Sequence, residues 1–76
     1  MGNAQEILDM MMSRLERAIA MGSGQGAMKS KDELGGALEL AMDTDLISPE
    51  EYANRTNRMI DAFYDAVDAG RLDFGG

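Results

Sequence analysis

The sequence predicts an all-α fold, a three-helix bundle, on three observations. Residues 4–21, 31–42 and 49–69 each repeat apolar side chains at spacings of three and four, which gathers them on one side of a helix. Serine-led cap signals and glycine-rich breaks fall between these stretches. No stretch alternates apolar and polar residues as a half-buried strand does.

In the first helix, about residues 4–21, the apolar side is Leu8, Met11, Met12, Leu15, Ala18 and Ile19, with Glu6, Asp9, Ser13 and Glu16 opposite. Gly22-Ser23-Gly24-Gln25-Gly26 then removes side chains and adds backbone freedom, so residues 22–29 read as a flexible glycine-rich linker. The second helix, about residues 31–42, starts at Ser30-Lys31-Asp32-Glu33, which has the form of a capping box. Its inner side is Leu34, Ala37, Leu38, Ala41 and Met42, and Gly35 and Gly36 each cost it about 1 kcal/mol against alanine.

The third helix, about residues 49–69, has Ser48 as cap, Pro49 at the first helical position and Glu51 to complete a second capping box. Ile47 is placed to staple onto Tyr52. Tyr52, Thr56, Met59, Ile60, Phe63 and Val67 form its apolar side, which ends near Gly70. The short link from Asp43 to Ile47 makes the second and third helices an antiparallel hairpin, and residues 71–76 read as a flexible tail.

The hairpin resembles the SHOCT pattern over about residues 31–60. The residues that carry the resemblance are Leu34, Leu38, Leu40, the run Asp45-Leu46-Ile47-Ser48-Pro49-Glu50-Glu51-Tyr52, and Arg55, Arg58 and Met59. The chain departs from that pattern at Asp45, where the family has a turn glycine, and at Asn54, Thr56 and Asn57, where it has a lysine-rich helix. The resemblance implies a small homo-oligomerisation or docking module with no catalytic residues.

Composition narrows the function. With 76 residues the chain is one domain, at a size where roughly 60% of the unfolded surface is removed from water. It has no cysteine for a disulfide or thiolate zinc site and no histidine, the commonest general base and metal ligand. We therefore expect a binding protein and not an enzyme, with no cofactor and no metal. Fourteen acidic against seven basic residues give a formal charge of −7, which disfavours direct contact with nucleic acid or an anionic membrane and favours a basic partner. No apolar run approaches a membrane span and no signal-peptide pattern opens the chain, so the chain is expected to be soluble and cytoplasmic. Met1-Gly2 lacks the Ser or Thr that N-myristoylation wants at position six, where Glu6 stands.

Several residue sets are candidate sites. Residues 22–30 superficially resemble a phosphate-binding loop, but a helix precedes them and Met28 stands where glycine should precede Lys29. Counted from Asp43 as a calcium loop, the fifth, sixth and twelfth positions are Ile47, Ser48 and Asn54, which do not fit. On the third helix Glu50, Asp61, Asp65 and Asp68 form an acidic strip continued by Asn54 and Asn57. Like charges at this spacing repel, and aspartates near a helix C-terminus oppose its dipole, so folding gains nothing from them. The alternatives are a solvated face and a row of carboxylates that meets lysines and arginines. Ile7, Met10, Arg14 and Met21 project from the first helix away from its core side. They form either a partner-binding patch or a homodimer interface. Leu72 and Phe74 in the tail either fold back or insert into a partner.

The expected function is thus a small acidic inhibitor or adaptor that occludes a basic, nucleic-acid-binding surface of a partner protein. In size and charge the chain is similar to small phage counter-defence proteins of the anti-CRISPR type.

Overall fold

A helix can end only if its last carbonyls and the next N–H groups find partners, and all three helices here solve this in the same way. The computed structural model describes residues 3–75, so Met1-Gly2 and Gly76 lie outside it. Among the described residues the elements are α1 (Ala4–Ala20), α2 (Gly24–Asp43) and α3 (Pro49–Asp68). Each helix closes in a Schellman motif with a left-handed residue just past its end: Gly22 at φ 75°, Asp45 at φ 60° and Gly70 at φ 68°. After α1, Gly22 N–H donates to Ile19 O and Ser23 N–H to Ala18 O. After α2, Asp45 N–H donates to Met42 O and Leu46 N–H to Ala41 O. After α3, Gly70 N–H donates to Val67 O and Arg71 N–H to Ala66 O. Asp45 therefore holds a left-handed conformation at a steric cost that glycine would not bear.

The glycine-rich segment corrects the expected linker. Ser23 finishes the cap of α1 and, through its hydroxyl, accepts the Gly26 N–H at 3.0 Å as the N-cap of α2. Residues 24–29 are the first turns of α2, seven residues ahead of the expected start, and Ser30 lies inside the helix and caps nothing. Low intrinsic propensity is overridden by tertiary packing. A Cβ on Gly24 would lie 2.6 Å from Asp73 O and 2.7 Å from the Phe74 ring, so the glycine is required by the tail that lies across it.

The expected flexible tail is pinned at that point. Gly24 N–H donates to Asp73 O at 2.7 Å and Asp73 N–H to Gly22 O at 2.8 Å, a two-bond parallel bridge. Leu72 is half-buried against the core. The chain thus runs up, down and up, and α3's exit returns to the α1–α2 corner.

The core takes Leu8, Met12 and Leu15 from α1, Leu34, Leu38 and Ala41 from α2, and Met59 and Phe63 from α3, with Ile47 of the turn. Leu15, Leu34 and Leu38 are fully buried. Met59 lies 3.9 Å from where a Cβ on Gly35 would stand, and Lys31 lies over the Phe63 ring, so α2 and α3 run antiparallel. α1 lies chiefly on α2 and only lightly on α3. The sides of α3 also differ from expectation: Ile60 and Val67 face outward, and Ala66 takes the inner position. Thr56 does face inward, where its Oγ1 is buried without a hydrogen-bond partner. Ser48 accepts the Glu51 N–H at 3.0 Å, but the Glu51 carboxylate turns to Arg55 and leaves the second capping box half made.

Two glycines give opposite expected outcomes. A Cβ on Gly36, inside α2, meets nothing within 4 Å, so Gly36→Ala should raise stability by about 1 kcal/mol. Gly24→Ala should lower it by about 1–3 kcal/mol through the clash with Asp73 and Phe74, and should speed amide exchange at Gly24 and Asp73. Thermal unfolding and hydrogen exchange check both; a neutral Gly24→Ala would contradict the docked tail.

Candidate functional site

The 3.6-residue repeat of α3 places Glu50, Asn54, Asn57, Asp61, Asp65 and Asp68 within about a quarter of the helix circumference. Met59, Phe63 and Ala66 point the opposite way, into the core. All six strip residues are exposed. Among the described residues, Glu50, Asp61, Asp65 and Asp68 make no ion pair.

The positive charge of α3 is turned away from this strip. The Arg55 guanidinium bonds Asp9 of α1 at 2.7 Å and Glu51 at 2.9 Å. Burial lowers the Arg55 pKa, but the hydrogen bonds and charges of Asp9 and Glu51 outweigh it and hold the group above its ordinary value. Arg58 reaches Glu16 of α1 at 3.9 Å. Asp9 and Glu16, which sequence patterning assigned to a solvent face, are more than half exposed, and Asp9 also ties α1 to α3 by its hydrogen bond from Arg55. Arg55 is thus committed within the chain, whereas the exposed Arg58 is held only loosely, and neither makes an ion pair with the strip.

An apolar line that the sequence did not single out as a site runs beside the strip. Ile60, Tyr64 and Val67, one and two turns apart, are 40%, 50% and 36% exposed. The Tyr64 ring stands edge-on to Phe63, with centroids 5.1 Å apart, which fixes its position. Its sequence signal was an aromatic residue one step outside the apolar side of the helix. Ile60 and Val67 had been placed in the core because they continue the same repeat.

The other candidates separate. Ile7, Met10, Arg14 and Met21 are exposed as expected, but Ile7 and Met21 stand about 21 Å apart along α1 at 1.5 Å per residue. Ile7 lines an apolar groove with Leu40 and Leu46, whereas Arg14 lies by Ser30 and Glu33. Leu40 and Leu46 were legible only as parts of a family pattern; the signal missed was a leucine on the polar side of α2. Leu72 packs inward, and Phe74 remains 43% exposed while it covers Gly24. The loop with a superficial likeness to a phosphate site is helical from Gly24 onward. Among the described residues no three carboxylates are placed to share a metal ion. No helix there is long and apolar enough to cross a membrane.

Arg55 sets the position of α1 on α3, yet Asp9 is well exposed, so solvent weakens the pair. Arg55→Met should cost about 1 kcal/mol and Asp9→Asn less than about 0.5 kcal/mol, with the first loss reduced in high salt. Chemical denaturation at two ionic strengths measures both, and an Arg55→Met protein as stable as the parent would contradict the assignment. No protein-family model matches this chain, and comparison with curated proteins and with solved structures gives no match either.

Proposed function

We propose that this protein is a small acidic inhibitor or adaptor that covers a basic, nucleic-acid-binding surface of another protein, in the manner of phage counter-defence proteins of the anti-CRISPR type. The observation that carries this reading is the unpaired, outward-facing carboxylate strip of α3. Asp61, Asp65 and Asp68 succeed one another at rises of about 4.5–6 Å along a rigid helix, so they present charge without having to be ordered first. Complementary charge steers encounter and penalises wrong partners, while affinity depends on a desolvated centre. Ile60, Tyr64 and Val67 supply that centre beside the strip, with the aromatic ring already held by Phe63. The reading places the protein in the cytoplasm of a bacterial or phage-infected cell, where it acts by binding and not by catalysis.

A second reading, homo-oligomerisation of the SHOCT-like kind, is favoured by Met10 and Met21, which are 51% and 76% exposed on α1. The two readings predict different sensitivities. Affinity capture from a bacterial lysate should recover a nucleic-acid-binding protein in a salt-sensitive way. Asp61→Asn, Asp65→Asn and Asp68→Asn together should abolish that recovery, and Tyr64→Ala should weaken it without altering its salt dependence. Unchanged capture by the triple variant rules out the charge-based mechanism. Recovery of the protein alone, lost on Met10→Glu, selects the oligomer instead.

A further inference from the structure

We propose a second docking site, separate from the α3 strip, that takes a basic amphipathic helix. It is the groove between the start of α1, the end of α2 and the α2–α3 turn. Ile7, Leu40 and Leu46 form its walls and are 48%, 64% and 59% exposed, while Ala37 and Ala41 form a low floor. Its volume is about 210 Å³ and its lining is almost wholly apolar. That is below the roughly 300 Å³ at which small-ligand pockets begin, and it lacks the convergent polar groups such pockets use. An open trough with tall aliphatic walls and an alanine floor suits large side chains that project from one face of a helix.

Charge selects the occupant. The stretches that build this end of the bundle, residues 3–13 and 34–54, contain Glu6, Asp9, Glu39, Asp43, Asp45, Glu50 and Glu51 and no lysine or arginine. Asp9 and Glu51 are partnered by Arg55, and Glu50 belongs to the α3 strip; the other four make no ion pair among the described residues. Glu6 and Glu50 stand in the first turns of α1 and α3, where a helix dipole favours acids, but Asp43 ends α2 against its dipole and Asp45 occupies a left-handed conformation. The last two weaken the fold that carries them. Two copies that met through this end would bring two acidic ends together, whereas a helix with leucine-like anchors and lysine or arginine flanks carries the opposite charge to it.

The test is fluorescence anisotropy of the full chain with a labelled leucine–lysine peptide patterned so that its leucines share one helical side. The controls are the same peptide with glutamate for lysine and one with the leucines scrambled. The patterned peptide should bind. Leu40→Gln and Ile7→Gln, both at exposed positions and checked for unchanged helicity, should each weaken binding about tenfold. The Asp61/Asp65/Asp68 triple asparagine variant should bind as the parent does. Equal binding of all three peptides, no binding, or indifference to both groove substitutions overturns the proposal. Loss of binding in the triple variant alone would assign the peptide to the α3 strip. Concentration-dependent dimerisation that Leu40→Gln abolishes would give the groove to a second copy.

Discussion

Ser23 donates its backbone N–H to Ala18 O to finish α1 and accepts the Gly26 N–H on its hydroxyl oxygen to begin α2, so the two helices reverse with no linker between them. The corner tolerates no extra atoms, because the returning tail lies across Gly24 within bonding distance of its backbone. Three chain segments are thus fixed at one point, which is how a chain of 76 residues without a disulfide holds α3 in register against α2. The other end of the bundle is held differently, by Ile47 in the core and by the Arg55 bridge from α3 to α1.

That division of labour sorts the charge. Arg55 of α3 is hydrogen-bonded to an α1 carboxylate, Arg58 lies near Glu16 but stays exposed, and the lysines sit on the first half of α2, where Lys31 lies over the Phe63 ring and beside Asp32. The outer side of α3 and the end bearing the α2–α3 turn are left acidic, and each borders exposed apolar residues. The body is thin, with principal extents of 40 × 24 × 15 Å, so these side chains have no second layer to cover them. Apolar side chains beside uncompensated carboxylates add no stability to so small a fold; under the proposed function they are the surface that a basic, partly apolar partner would cover.

The fold class was legible from the sequence, because helix periodicity and the Ser48-Pro49 cap are local signals, and α1 and α3 end within about a residue of where those signals put them. The start of α2 was not legible. Gly24 and Gly26 read as a linker on propensity, and only the tail's position explains why glycines are needed in a helix there. The tail itself gave no sign that Asp73 would pair with backbone fifty residues earlier, since main-chain hydrogen bonds leave no side-chain pattern. The α3 strip was read correctly as a row of exposed residues because 3.6-residue geometry alone determines it. Its apolar border was missed because Ile60 and Val67 continue the core repeat, and a repeat does not say how wide the covering layer is. The groove at Leu40 and Leu46 depends on three segments meeting and had no local signature.

Under the proposed function the carboxylates of α3 are free in this protein and are covered by a partner in the complex. Carboxyl-group footprinting, with a carbodiimide and an amine on the free protein and on its captured complex, tests this residue by residue. The account predicts that Asp61, Asp65 and Asp68 label fully in the free protein and become protected in the complex, while Asp32 and Glu33 on α2 label equally in both. Full labelling of the α3 aspartates in a saturated complex would contradict it.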